Sequence, residues 1–207
     1  MKSLKKDIRV VGIDLAGVPH RPTGACVLNG FRAATALLGT NEEIEAFVEK
    51  YAPDLVVIDA PLHLPPGRTS IEDRNGSHYR LCDLELRRRG IPFFPITLGP
   101  MRTLTVRGIQ LKRALEGRGH RVLEMYPGGA QDVWGIPRAA RSLPGLKRGL
   151  KRLGLTGLKK SATDHELDAA TGALVGLFFL RGEAEVYGDF ETGAILMPPG
   201  PRKPRRR

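Results

Sequence analysis

Little in this chain favours a disulfide scaffold, a membrane span or an aromatic platform. Two cysteines occur in 207 residues, Cys26 and Cys82. They lack metal-ligand spacing, and both are expected as buried thiols of a reducing compartment. The longest apolar stretch, residues 169–180, is broken by Thr171, Gly172 and Gly176, so no bilayer span is expected. Residues 1–9 are basic, but the apolar segment that follows, residues 10–15, is too short for a secretory signal. These absences lead to the expectation of a soluble, cytoplasmic protein. Aromatic residues make up only 6% of the chain, which weakens any reading as a base-stacking platform. Several catalytic signatures are also missing. The sequence has no second histidine four residues after His165, no phosphate loop of the Gly-x-x-x-x-Gly-Lys-Ser/Thr type, no dinucleotide fingerprint and no serine nucleophile elbow.

Positive charge is present in excess, with a net charge of +11. Five cations fall in the tail Arg202-Lys203-Pro204-Arg205-Arg206-Arg207, and residues 198–207 are expected to be a disordered tail beyond a single domain of residues 1–197. A second block, from Arg138 to Lys160, contains no acid. Within it Lys147, Arg148, Lys151 and Arg152 recur at helical spacing opposite Leu146, Leu150 and Leu153. Such a stripe suits phosphate tracking along nucleic acid, and equally suits an ordinary solvated face.

Two apolar runs end on an aspartate, Val10-Val11-Gly12-Ile13-Asp14 and Leu55-Val56-Val57-Ile58-Asp59. Runs of this kind predict strands buried on both faces, which puts both carboxylates at the carboxyl edge of a sheet, where open α/β folds carry their sites. Carboxylates placed side by side repel unless a cation neutralises them or one keeps a proton. A hard divalent ion is their natural partner.

Periodicity and punctuation predict strands over residues 8–15, 24–28 and 32–38 as an antiparallel meander, then a helix over 41–51 opened by a Thr40/Glu43 capping box. A strand ending at Asp59, helices over 78–89 and 102–118, a strand over 121–125 and a long helix over 163–181 follow. The helical connection between the strands at Asp59 and Glu124 suits a parallel crossover. The last helix starts at Ser161-Ala162-Thr163-Asp164-His165-Glu166-Leu167-Asp168. Thr163 is its N-cap and Glu166 the reciprocal partner, while Asp164 complements the helix dipole. Asp168 is different, because it leads directly into a small, apolar helix face and needs a partner there.

An acid ending the first strand, another ending the fourth and a third near the start of the final helix, on a β-β-β-α-β-α order, resemble the ribonuclease H-like superfamily. His165-Glu166-Leu167-Asp168-Ala169 is similar to the final-helix motif of Holliday-junction resolvases. A closer resemblance is to domain of unknown function 429, a family of predicted nucleases. It rests on Gly12-Ile13-Asp14-Leu15-Ala16, Ile58-Asp59-Ala60-Pro61-Leu62, Arg80-Leu81-Cys82-Asp83, Glu124-Met125-Tyr126-Pro127, Asp164 to Ala169 and Gly188 to Gly193.

The resemblance implies a mixed five-stranded sheet, the meander plus two parallel strands, flanked by helices. It implies a site of Asp14, Asp59 and Asp168, with Glu124 as a fourth acid, holding one or two Mg²⁺ or Mn²⁺ ions for phosphodiester hydrolysis by a two-metal mechanism. His165 would exchange a proton or touch the phosphate. Arg80 and Asp83 would line the pocket, with Arg80 as a phosphate clamp, although an ordinary ion pair three residues apart explains them as well. His63 and Arg68 would border the entrance. Nucleic acid is the expected partner, and a homodimer is left open. Two rival readings are a non-catalytic nucleic-acid-binding protein of the same fold and a nucleotide phosphotransferase or phosphatase related to the actin-like kinases.

Overall fold

In the computed structural model, which describes residues 8–199, the first strand, β1 (Arg9–Asp14), lies in the interior of the sheet. It pairs antiparallel with β2 (Thr23–Asn29), which pairs antiparallel with β3 (Arg32–Leu38). After α1 (Asn41–Tyr51), β4 (Leu55–Asp59) returns parallel to β1, and their register sets Asp14 beside Asp59. Helices α2 (Leu81–Arg88) and α3 (Gly99–Gly117) then lead to β5 (Val122–Met125), parallel to β4. Two shorter helices, α4 (Pro127–Val133) and α5 (Leu143–Arg152), precede the long α6 (Asp164–Leu180). The chain closes with a hairpin of β6 (Glu185–Asp189) and β7 (Gly193–Met197).

The sheet order is β3-β2-β1-β4-β5-β7-β6, so the protein is an α/β fold on a mixed sheet. The meander and the two parallel strands stand as expected, but the sheet has seven strands rather than five. The final hairpin adds the other two, with β7 parallel to β5. Its turn is built by Asp189, whose carboxylate accepts the Glu191 and Thr192 N–H groups. The expected tail at residues 198–207 falls almost wholly outside the described residues.

Because both faces of the sheet are covered, the strands carry apolar residues continuously and their two parities face different cores. Val10, Leu55, Val57 and Met125 join α5 and α6 on one side. Val11, Ile13, Val56, Ile58 and Val122 join α1 and α3 on the other. Cys82 and Leu86 of α2 pack with Tyr187, Ile195 and Met197 in a third cluster, and both cysteines are fully buried. Among the described residues no helix is long and apolar enough to cross a membrane.

Helix α6 sits unusually close to the sheet. A Cβ on Gly12 would lie 2.2 Å from the Ala169 carbonyl oxygen, and one on Gly24 would lie 2.0 Å from that of His165. Backbone therefore meets backbone at the two positions that set the height of the α6 amino end. That end is also pinned along its length. Thr163 and Glu166 form the expected capping box, and the other Glu166 oxygen accepts the Thr35 hydroxyl of β3 at 2.6 Å.

Gly12→Ala is expected to destabilise the fold by roughly 3 kcal/mol, since neither neighbouring backbone can yield without moving α6. Gly117→Ala, at an α3 position where a methyl would meet nothing, should instead stabilise by about 0.5–1 kcal/mol. Urea denaturation of the two variants measures the contrast.

Candidate active site

The close approach of α6 delivers three carboxylates to one cleft. Asp14 and Asp59 end adjacent parallel strands on the α6 side, and Asp168 faces them from the second turn of α6. The cleft has a volume of about 310 Å³ and is further lined by His165, Tyr126, Gln131, Arg138 and a fourth acid, Asp164, whose role is therefore not confined to the helix dipole. His165 Nδ1 stands 2.7 Å from Asp14 Oδ2, and Gln131 Nε2 donates to Asp168 Oδ1 at 2.6 Å. Gln131 also donates to the Thr171 hydroxyl, one turn further along α6, so its amide is held in place.

The electrostatics record a site short of positive charge. Burial raises the Asp59 carboxyl well above the usual range, and the charges of Asp14 and Asp168 add to the effect. Burial and the Asp14 charge push Asp168 up to about 7, against the Gln131 hydrogen bond. The hydrogen bond to Asp14 raises the His165 imidazole above its ordinary value. Arg138 is the one lysine or arginine among the described residues lining the cleft. Its guanidinium is held by both oxygens of Asp132, at 3.1 and 2.6 Å, and by the Tyr126 hydroxyl at 3.2 Å. Three hard oxygen donors that oppose each other's ionisation fit a divalent cation chemically. Among the described residues, however, no three acidic, histidine or cysteine side chains stand converged as a finished ligand set. One oxygen each of Asp14 and Asp168 is already engaged.

Glu124 is placed elsewhere. It pairs in register with Ile58, not Asp59, and so has the opposite parity to the aspartates and points to the α3 side. There Arg80 grips it with two bonds, at 2.6 and 2.8 Å, while the Leu62 N–H donates to it at 2.9 Å. Asp83 takes the remaining Arg80 bonds, at 2.8 and 3.1 Å, and accepts the Arg80 backbone N–H, which is why α2 begins at Leu81 and not at residue 78. Burial opposes the Arg80 charge, but Glu124 and Asp83 hold it protonated. Burial holds the Glu124 carboxyl above its usual range, and the Arg80 charge and hydrogen bonds pull against that. Arg80 is 2% exposed, and both edges of its fork are occupied, which leaves it no face for a phosphate.

The other expected residues scatter. Arg68 is buried and donates to the Ser77 carbonyl at 2.7 Å and to that of Asp73, bracing its own loop. His63 lines grooves along α3 and is absent from the acid cleft. Arg148, Lys151 and Arg152 are exposed on α5, with Lys147 turned to the Lys159 carbonyl. Sequence reasoning did not single out Gln131 or Arg107. The latter straps α3 to the loops after β1 and β3 through the carbonyls of Ala16 and Gly39 and the Asn41 side chain.

An α/β fold carrying an acidic cleft at the carboxyl edge of β1 and β4 defines the class. Residues 12–192 match the family described as Protein of unknown function (DUF429), and the chain belongs to that family. Its structure is similar to a Thermus thermophilus RuvC structure, at 12% identity over 84% of this chain and 97% of that one, with a TM-score of 0.46. It is also similar to the yeast mitochondrial Holliday junction resolvase Ydc2, at 13% identity over 83% and 78% of the two chains, with a TM-score of 0.41. No curated protein matches the chain.

Two outcomes separate the two faces. Arg80→Gln should cost about 3–5 kcal/mol in urea denaturation, with or without divalent ions, because it leaves Glu124 and Asp83 buried without their cation. Asp168→Asn should have the opposite sign in chelator. The folded protein holds the Asp168 proton that the unfolded chain has released, so wild-type stability falls as pH rises through about 7. Above that pH the variant should be the more stable by ~1 kcal/mol or more.

Proposed function

We propose that the protein is a divalent-metal-dependent hydrolase of phosphodiester bonds in nucleic acid. The observation that carries this reading is the trio Asp14, Asp59 and Asp168, brought to one cleft where their charges resist coexistence. Such a site is unfavourable for folding, and a function that recruits positive charge accounts for it.

Asp14, Asp59 and Asp168 would hold Mg²⁺ or Mn²⁺. Bound there, the ion supplies Lewis-acid polarisation of the phosphate and a lowered pKa for attacking water. The remaining work falls to side chains of this chain. Gln131 fixes the orientation of Asp168, and His165 fixes that of Asp14. With Nδ1 directed at Asp14, the His165 Nε2 is left to pass a proton to or from the reacting oxygens. Arg138 offers its charge to the substrate phosphate at the cleft wall, preoriented by Asp132 and Tyr126. Arg148, Lys151 and Arg152, with Lys147, extend the positive surface along the backbone beyond the site.

A second reading, nucleic-acid binding without cleavage, is favoured by one observation: Asp14 and Asp168 each spend an oxygen on a protein partner, and no finished ligand set stands among the described residues. Glu124 and Arg80 have a structural role in either case.

The test is Mn²⁺-dependent cleavage of labelled single-stranded, duplex, hybrid and branched substrates. Wild type should cut at least one of them, and Asp14→Asn or Asp168→Asn should reduce cutting to background. Gln131→Ala should raise the metal concentration needed about 10- to 100-fold, as removal of an orienting partner does. Replacing Arg148, Lys151 and Arg152 by Ala should lower the salt dependence of duplex binding by about 0.9 in log–log slope for each phosphate no longer neutralised. Salt-sensitive binding with no cutting by wild type would leave the second reading standing.

A further inference from the structure

A second cavity adjoins the acid cleft on the α3 side of the sheet edge. It measures about 170 Å³, and Asp59 and Tyr126 border both spaces. Phe93, Phe94, Ile96 and Met101 form its apolar walls, and the buried Arg80–Glu124 pair lies at its base.

Phe94 is the feature that asks for an explanation. It is 69% exposed, the highest value among the large apolar side chains described. Its loop is well held. Phe93 packs edge-on against Tyr79 with ring centroids 6.1 Å apart, and the Tyr126 hydroxyl donates to the Pro92 carbonyl at 2.7 Å. His78 Nδ1 lies 2.9 Å from the Thr97 hydroxyl. Pro92 and Pro95 restrict the backbone on either side of Phe93 and Phe94. An exposed aromatic ring on a backbone held by its neighbours, at the edge of a small apolar cavity, is placed to stack on a ring that enters it. The sequence scattered Tyr79, Phe93, Phe94 and Tyr126 too widely for this grouping to be visible.

We propose that this slot receives one unpaired nucleobase of the strand whose phosphate lies at Asp14, Asp59 and Asp168, with Phe94 as the stacking surface. The proposal rests on the nucleic-acid reading above and narrows its substrate class. The occupant follows from the shared border. A phosphate at the acids places its own nucleoside within reach of a space that begins at Asp59 and Tyr126. The slot takes a single ring system and is too small for a peptide segment. Its walls are mainly apolar and include the rings of Phe93 and Phe94, which suits a flat ring, and the Arg80–Glu124 pair that borders it is already satisfied within the protein. A base inside a duplex would first have to leave its stack, at a cost of a few kcal/mol. The favoured substrates are therefore single strands, bulges and unpaired branch points.

The test measures binding in EDTA, where nothing is cut, so its result is independent of catalysis. Wild type and Phe94→Ala are compared on a short oligothymidine, on an abasic strand of the same length and charge, and on a matched duplex. Phe94→Ala should bind oligothymidine about tenfold more weakly, in line with base–aromatic stacking. It should bind the abasic strand and the duplex as wild type does, and Phe94→Trp should restore the oligothymidine affinity. Equal weakening on all three ligands, or no weakening on any, overturns the slot. So does a shift from dimer to monomer in sedimentation without a base-dependent effect, which would make Phe94 a contact between copies of this chain. Base-dependent binding by a protein that never cleaves would keep the slot and remove the nuclease.

Discussion

The arrangement of the site depends on the contact between the α6 backbone and strands β1 and β2. Side chains normally keep packed layers apart, yet here Gly12 and Gly24 remove them at the two points where the α6 backbone comes closest. The consequence is positional. With the helix lowered, His165 reaches Asp14 directly and Asp168 projects into the space above Asp14 and Asp59. The Thr163–Glu166 capping box and the Glu166–Thr35 bond then fix the helix in translation, so the three acids arrive from two layers of the fold at a common level.

Charge is distributed unevenly across the sheet, and the pleat is the reason. On the α3 side each carboxylate is answered: Arg80 serves both Glu124 and Asp83 within a fully buried network. On the α6 side four carboxylates, Asp14, Asp59, Asp164 and Asp168, line a cleft with one half-buried arginine already shared with Asp132, and Asp59 and Asp168 respond by retaining protons more strongly. Were Glu124 to share the parity of Asp59, a further acid would enter the deficient side and Arg80 would lose its partner. The ion pair thus does more than bridge α2 to β5. The register with Ile58 turns this acid away from the cleft, and Arg80 neutralises it on the face where it lands.

This division explains what the sequence could and could not disclose. Strands buried on both faces read as unbroken apolar runs, so Val10 to Asp14 and Leu55 to Asp59 announced themselves, and so did the aspartate at each end. The same lack of alternation concealed parity. Nothing in Val122-Leu123-Glu124-Met125 tells which face Glu124 takes, because both faces are apolar, and only the register with Ile58 decides it. Arg80 and Asp83 were legible as a local pair but not as the partners of a residue 44 positions away from Arg80. The cap at Thr163, the small face of α6 and the basic stripe of α5 follow local rules and emerged as expected. Gln131 and Tyr126 reach the cleft through a short helix that begins at Pro127, where the chain signalled only the end of a strand. The final hairpin was missed because its strands are five residues each, too short for alternation to stand out.

Asp59 is where the two sides meet. It lies between the undercompensated cleft and the compensated Arg80–Glu124 network, and both cavities open at it. A ligand that places negative charge and its neutralising cation on the α6 side, and a flat apolar ring on the α3 side, satisfies both environments at once. Neither demand alone selects a nucleotide, since acids hold many cations and apolar slots accept many rings. Their conjunction across one strand end, with Tyr126 shared between them and Arg138 set against that tyrosine, is the feature that the proposed ligand, a phosphate covalently joined to a planar ring, would satisfy.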